Sequence, residues 1–174
     1  CLEHEENRGL SAARNTGISA SVVDYLYFLD SDDYISANAI ELLADAAVQK
    51  RPDFVIGNYE VTGARRWAPP LSLGTGFYEG NALVLSTYVQ GKWYVMAWNK
   101  LVSRPLVLQH KLYFQEGIVH EDDLWSFKLA CMSQSMYVVN ETTYYYSMQP
   151  DSIMRAPSMR NLECRVLVLG YIYD

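Results

Sequence analysis

Residues 24–33 read DYLYFLDSDD, an apolar and aromatic run that ends abruptly in acidic side chains. A continuous run of this kind is typical of a strand buried on both faces, as in a parallel sheet. Residues 37–49 (ANAIELLADAAVQ) predict an amphipathic helix capped by Ser36 or Asn38. Residues 53–59 (DFVIGNY) predict a second buried strand. The order strand, helix, strand predicts a right-handed crossover in an α/β sheet.

Further elements flank this unit on both sides. Upstream, residues 8–20 predict a short helix, because apolar side chains recur there at helical spacing. Downstream, the patterns predict a hairpin or loop at 62–80, whole or partial helices at 81–90 and 95–102, a helix at 121–132, strands at 136–139 and 142–147, and an amphipathic helix at 158–171.

Composition narrows the class of protein. With 174 residues, 50% hydrophobic and 20% charged, the chain can form about one domain with its own core. Its net charge of -6 disfavours binding to a nucleic-acid backbone. The three cysteines are widely separated and form no metal or redox motif, which favours reduced thiols in a cytosolic protein. No apolar run approaches the roughly 20 residues of a membrane span.

The acids that end the first predicted strand are candidate ligands. Ligands of open α/β sheets bind at the carboxyl ends of strands, and two carboxylates separated by one residue, Asp30 and Asp32, can flank a divalent cation. One alternative is a cluster that caps the next helix. Another is a phosphatase-type loop with a nucleophilic Asp, which is disfavoured because Asp33 and Tyr34 follow where that loop has a small β-branched residue.

Two other segments carry candidate site residues. Glu121, Asp122 and Asp123 open a predicted helix, where one carboxylate could act as a general base from the opposite wall of a cleft. The alternative is that the helix dipole simply favours acids in its first turn. Arg14 and Asn15 offer planar donors of the kind that bind phosphate or a nucleobase, whereas a solvated helix face is the alternative for Arg14.

Five runs together resemble the family 2 glycosyltransferases, which are bacterial inverting enzymes with the GT-A fold. In the order and approximate spacing of that family, the runs are NRGLSAARNTG (7–17), YLYFLDSDD (25–33), AWNK (97–100), HEDDLW (120–125) and YYYSMQPDSIMR (144–155). The resemblance covers about residues 4–155 and implies a Rossmann-related α/β fold with a mixed sheet flanked by helices. It also implies that the family's first nucleotide-binding strands are missing ahead of residue 1.

On the donor side, the resemblance implies roles for three residues. Asp30 and Asp32 match the family's DXD pair, in which the second acid binds Mn or Mg on the diphosphate and the first lies near the ribose and the metal. Arg14 matches the basic residue that lies near the nucleotide. Asp33 extends the acidic motif and is expected only to cap the next helix.

On the acceptor side, Glu121 and Asp122 match the family's acidic pair, of which the Asp is taken as the catalytic base. Trp98 and Lys100 match a segment that lines the acceptor side of the cleft. Core packing is the alternative for Trp98, and a solvated charge is the alternative for Lys100.

The expected function is transfer of a hexosyl group from a nucleotide sugar, UDP-linked by preference, to a hydroxyl of a glycan or lipid-linked acceptor. The resemblance implies inversion, a role in cell-surface polysaccharide synthesis, and a cytoplasmic location, including the inner face of the membrane. A non-catalytic transferase-like module that binds glycan or scaffolds a partner is the alternative.

Two segments are expected, with one boundary between them. Residues 1–155 would form the C-terminal two-thirds of a catalytic domain, and residues 156–174 a helix that starts a further helical segment. The apolar stretch 162–173 predicts core, a homodimer surface or a peripheral membrane contact, of which core or dimer is favoured.

Overall fold

The computed structural model describes residues 2–63, 71–148 and 159–173. In these ranges the strands are β1 (Tyr25–Tyr27), β2 (Tyr34–Ile35), β3 (Phe54–Gly63), β4 (Gly76–Glu79), β5 (Lys100–Ser103) and β6 (Ser135–Met148). The helices are α1 (Leu10–Ala20), α2 (Ala39–Lys50), α3 (Asn81–Val89), α4 (Arg104–Gln109), α5 (Glu121–Met132) and α6 (Met159–Tyr173).

The strands form one mixed sheet with helices packed against it. Its order is β1-β5-β3-β6-β2, and β4 also pairs with β6. The β3–β6 pair is parallel, whereas the β1–β5, β3–β5, β2–β6 and β4–β6 pairs are antiparallel. The expected mixed α/β architecture is therefore confirmed, and helices α1, α2, α3, α5 and α6 occupy the expected segments within one or two residues.

The prediction that the first strand is buried on both faces in a parallel sheet is wrong. β1 is three residues long, only Leu26 in it is buried, and it pairs antiparallel with β5 at an edge of the described sheet. The reason is that β5, from a distant part of the chain, lies between β1 and β3. Sequence periodicity does not report a partner so far away along the chain.

Three other predictions need correction. Residues 95–102 are not a helix, since β5 begins at Lys100 and α4 follows it. The segment 62–80 contains strand β4, while residues 64–70 lie outside the described ranges. The two short strands predicted at 136–139 and 142–147 are one continuous strand, β6. Residues 149–158, which include the end of the YYYSMQPDSIMR run, also lie outside the described ranges.

The core lies on both faces of the sheet because successive side chains of a strand alternate. Phe54 and Ile56 of β3 face the larger cluster, which includes Trp98, Trp125 and Tyr144. Val55 faces the other side, where it packs with Leu43 of α2. In the described ranges, no helix combines the length and apolar character that a membrane crossing requires.

Candidate functional site

The site is centred on the guanidinium of Arg14, which α1 directs toward the turn after β1 and the start of α5. One terminal nitrogen, Nη2, donates to Asp30 at 2.9 Å. The other, Nη1, donates to Glu121 at 3.1 Å and to Asp122 at 2.6 Å. The Arg14 side chain is only 6% exposed. The structure therefore brings together four of the residues predicted from sequence and excludes a solvated helix face for Arg14.

Local packing explains how α1 holds Arg14 in this position. Gly9 begins the helix with a left-handed φ of 84°, a conformation that glycine adopts without steric cost. The Phe114 ring lies 4.9 Å from the Arg14 guanidinium carbon, a favourable cation–π contact. Asn15 fixes the backbone of Phe114. The Asn15 side-chain amide donates to the Phe114 carbonyl at 2.9 Å and accepts from the Phe114 N–H at 2.8 Å. Asn15 thus contacts protein backbone in this structure.

The acidic turn after β1 is fastened to β6 through Asp33. Its two carboxylate oxygens accept the Tyr144 hydroxyl at 2.6 Å and the Ser147 N–H at 2.7 Å. The Tyr144 hydroxyl in turn accepts the Asp30 N–H at 3.3 Å. Asp33 does not cap the next helix as expected, because Asn38 occupies the N-cap position of α2. Tyr144 was not predicted to contribute, although it lies in a run that carried the family resemblance.

The start of α5 presents Glu121 and Asp122 to Arg14. His120 precedes the helix with a left-handed φ of 67°, so the chain turns sharply just before the two acids. The second oxygen of Asp122 accepts the Ala97 N–H at 3.1 Å. Both oxygens of this carboxylate are therefore held, one by a side chain and the other by backbone. A backbone donor has no sequence signal of its own, and the pattern could not have revealed it.

The pKa is raised for Arg14 and for two of the carboxyls that contact it, Asp30 and Glu121. Burial lowers the pKa of Arg14, but the carboxylates of Asp122, Asp30 and Glu121 outweigh this and raise it overall. Burial raises the pKa of Asp30 and of Glu121, against the opposing effect of Arg14. Three carboxyl groups surround one guanidinium, so the cluster is suited to receive further positive charge.

Asp32 has the features of a carboxylate available to a metal ion. It is exposed and lines a cleft of about 560 Å³ together with Arg14 and Asp30. Within residues 2–63, 71–148 and 159–173 it makes no hydrogen bond or ion pair, and no group of three or more His, Cys, Asp or Glu side chains could hold a metal. Mg²⁺ usually binds one or two carboxylates together with substrate phosphates, so this donor set fits a metal that arrives with a diphosphate.

Trp98 and Lys100 are both buried, at 2% and 0% exposure. Trp98 stacks on Tyr144 with ring centroids 4.4 Å apart, as the packing alternative predicted. Lys100 donates to the carbonyls of Tyr94, at 3.1 Å, and Met96, so its expected alternative, a solvated charge, is wrong. Burial lowers the pKa of Lys100 to about 7. Whether either residue serves the acceptor side stays a prediction.

Residues 1–106 match the family model described as glycosyl transferase family 2. The chain belongs to this family. The matched part contains Arg14, Asp30 and Asp32, whereas Glu121 and Asp122 lie beyond it. The Arg14 ion pairs therefore join the matched segment to the start of α5.

Similar proteins are glycosyltransferases. The chain is 31% identical to GlyA of Streptococcus pneumoniae serotype 4, over 87% of this chain and 23% of GlyA. It is 31% identical to EpsJ of Bacillus subtilis, an uncharacterized glycosyltransferase, over 88% of this chain and 46% of EpsJ. It is 27% identical to the poly(ribitol-phosphate) beta-N-acetylglucosaminyltransferase TarP of Staphylococcus aureus, over 78% of this chain and 40% of TarP. The chain thus spans less than half the length of these curated relatives.

The fold is similar to that of a solved glycosyltransferase structure. The structure of S. aureus TarS residues 1–349 in complex with UDP-GlcNAc superposes with a TM-score of 0.78. The match covers 98% of this chain and 49% of TarS 1–349. The sequence identity is 18%, so this likeness concerns the fold, and it agrees with the GT-A architecture expected from the sequence.

Proposed function

We propose that the protein transfers a hexosyl group from a nucleotide-diphosphate sugar to a hydroxyl acceptor, with inversion at the anomeric carbon. The observation that carries this proposal is the Arg14 cluster. Arg14 and Asp30 line one cleft, and Arg14 also pairs with Glu121 and Asp122 at the start of α5. Family membership supports the reaction class. The UDP-GlcNAc complex of the similarly folded TarS supports a UDP-sugar as donor.

Asp122 is the proposed general base. Arg14 and the Ala97 N–H each hold one of its oxygens, so the carboxylate has a fixed direction. Its side chain is 19% exposed, which leaves it accessible to an acceptor hydroxyl. A base held in this way can take the hydroxyl proton as the oxygen attacks the anomeric carbon. A single displacement from the face opposite the leaving diphosphate inverts that carbon and requires no covalent enzyme intermediate.

Glu121 and Arg14 are proposed to support this base. Burial raises the pKa of Glu121, whose carboxylate accepts from Arg14 at 3.1 Å. Arg14 binds Asp30 on the donor side and Asp122 on the acceptor side. It therefore sets the distance between the two acidic groups.

Asp32 would hold Mn or Mg on the donor diphosphate, and Asp30 lines the same cleft. A divalent cation there supplies Lewis-acid neutralisation of the charge that develops on the departing group. Asp32 is suited to this task because its carboxylate is exposed. Asp30 is committed to Arg14 through one oxygen and leaves the other for the ribose or the metal.

The names of the relatives support a wider role in cell-surface polysaccharide synthesis. TarP is named for transfer of N-acetylglucosamine to poly(ribitol-phosphate). By analogy we propose a glycan or lipid-linked acceptor, modified at the cytoplasmic face of the membrane.

The test is release of UDP and transfer of sugar when the protein is given UDP-GlcNAc or another UDP-sugar, an oligosaccharide acceptor and Mn²⁺. We expect Asp122→Asn to lower kcat by about 10²- to 10⁴-fold, the usual contribution of a general base. Asp32→Ala should lower turnover and raise the Mn²⁺ concentration that half-maximal turnover requires, and chelation should abolish turnover of the wild type. Asp45→Asn, an exposed acid on α2, is the matched control and should leave activity unchanged.

Full activity of Asp122→Asn would contradict the assignment of the base. Binding of glycan without turnover of any UDP-sugar would instead favour a non-catalytic transferase-like module. Configuration at the transferred anomeric carbon, read by NMR of the product, tests inversion.

A further inference from the structure

The backbone that leads into β5 is held by side chains at three successive carbonyls. Lys100 donates to the carbonyls of Tyr94, at 3.1 Å, and Met96. Ser126 donates to the carbonyl of Val95, which lies between them. The next amide in the chain, that of Ala97, donates to Asp122 at 3.1 Å. We call residues 94–97 the bracing segment.

Lys100 is an unusual donor for such a role. It is 0% exposed and forms no ion pair with any residue of the described ranges. Its ammonium lies 4.3 Å from the Tyr94 ring centroid and 5.6 Å from that of Trp93. Burial lowers the pKa of Lys100, an effect that the charge of Asp122 opposes and that of Arg14 reinforces. Burying an unpaired ammonium is costly unless its donors are satisfied. Here two of the three donors have backbone carbonyls as acceptors, and two aromatic rings lie beside the ammonium.

Ser126 links the same segment to the helix that carries the proposed base. It lies four residues after Asp122 on α5, so the two side chains share one face of that helix. Ser126 is fully buried. The helix therefore both presents the Asp122 carboxylate and holds, through Ser126, the backbone whose amide contacts that carboxylate.

From this arrangement we infer that Lys100 and Ser126 are positioning residues, which fix the bracing segment so that the Ala97 amide orients the Asp122 carboxylate. The inference rests on the proposed function in one respect, namely that Asp122 is the base. Without the hydrogen bonds from Lys100 and Ser126, Asp122 keeps Arg14 as a donor and loses the backbone donor that fixes its second oxygen. Misplacement of a catalytic group by about 1 Å can reduce turnover about 100-fold.

The experiment compares Lys100→Met and Ser126→Ala with Ser133→Ala. Ser133 is the matched control, because it is also a fully buried serine whose hydroxyl donates to a backbone carbonyl, that of Leu129, at 2.7 Å. It follows the C-terminal end of α5, away from Asp122. We expect Lys100→Met and Ser126→Ala each to lower kcat about 10- to 100-fold with little change in the KM for the UDP-sugar. Ser133→Ala should retain wild-type kcat.

A second readout does not depend on activity. Amide hydrogen exchange followed by NMR should show that the Ala97 amide loses protection in Lys100→Met and in Ser126→Ala. Core amides such as those of Val55 and Ile56 should keep their protection in both variants. If Lys100→Met fails to fold, the comparison of Ser126→Ala with Ser133→Ala decides the matter alone.

Wild-type kcat together with unchanged Ala97 protection in Ser126→Ala would overturn the inference. Loss of protection at Val55 and Ile56 as well would also overturn it, because the effect would then be general destabilisation. If Asp122→Asn is fully active, the proposed base fails, and Ala97 exchange still reports whether Lys100 and Ser126 hold the bracing segment.

Discussion

The guanidinium of Arg14 joins carboxylates from two distant parts of the chain, Asp30 after β1 and the pair that opens α5. Two of these carboxyls, Asp30 and Glu121, contribute to stability in a pH-dependent way. Because burial raises the folded-state pKa of Asp30 and Glu121, both groups stabilise the fold below their ordinary pKa. That contribution is lost as pH rises through the raised values. Arg14 opposes the rise in both cases.

Replacing Arg14 by Met should therefore destabilise the protein more at pH 7 than at pH 4. At pH 7 three carboxylates would face one another with no cation between them. We expect a loss of roughly 2–3 kcal/mol in the free energy of unfolding, below the ~3–5 kcal/mol of a fully buried pair, because solvent reaches the carboxylates. At pH 4 much of this loss should vanish. Urea unfolding at both values measures it, and equal losses at the two pH values would contradict the assigned electrostatics.

Residue-scale chemistry could be predicted only in part. Arg14, Asp30, Glu121 and Asp122 were identified because their types and order resemble a family pattern, and the structure places them in contact. The burial of Lys100 could not be predicted, since its acceptors are backbone carbonyls that any sequence supplies.

At the scale of elements, the helices were predictable and the strand pairing was not. Helices α2 and α5 follow from local periodicity and polar first turns, which lie within the segment itself. Strand β5 comprises only Lys100–Ser103 and lies between β1 and β3 through contacts with residues far away in sequence. A run of four residues carries too little pattern to predict such a partner.

The junction of β3 with β6 shows how closely two of these strands approach. Their parallel register shifts on either side of Asn58. A Cβ added at Gly57 would lie 2.0 Å from the Thr143 hydroxyl oxygen and 3.1 Å from the Asn99 side-chain nitrogen. The side-chain oxygen of Asn99 accepts the Thr143 hydroxyl at 2.8 Å and the Tyr27 hydroxyl at 3.1 Å. A methyl group at Gly57 would therefore disturb contacts that join β1, β3 and β6.

We expect Gly57→Ala to lower the free energy of unfolding by about 1–3 kcal/mol, the usual effect of overpacking a core. Gly74→Ala is the matched control, because no atom lies within 4 Å of the added Cβ there. Thermal or urea denaturation of both variants measures the difference. Equal midpoints for the two variants would show that β3 and β6 can separate to accommodate the methyl group.

At the scale of the whole molecule, α6 has two different faces. Cys164 and Val168 are buried, and the helix packs against α5, where Arg165 contacts His120 at 3.4 Å. On the other side an exposed apolar stripe alternates in steps of three and four residues, and its members are Met159, Leu162, Val166, Leu169 and Tyr173. Apolar side chains at this spacing are typical of a seam between two helices.

Core, a dimer surface and a membrane contact were the alternatives for residues 162–173, and this stripe makes the dimer surface a specific prediction. A second copy of α6 would cover the stripe by the same contacts in both directions, as a two-fold interface requires. We expect sedimentation velocity to show a dimer whose fraction rises with concentration. Val166→Glu and Leu169→Glu should each shift it to monomer, since each places a charge in the seam.

Leu167→Glu is the matched control for the dimer. Leu167 is 50% exposed, similar to Leu169 at 54%, but it lies about 120° around the helix from the stripe. The same charge there should leave the dimer intact if the seam is the interface. A monomer at all concentrations that binds anionic lipid vesicles through Val166 and Leu169 would contradict the dimer, because the stripe would then be a membrane contact. If all three substitutions weaken the dimer equally, the effect is one of charge anywhere on α6, and the stripe is not the interface.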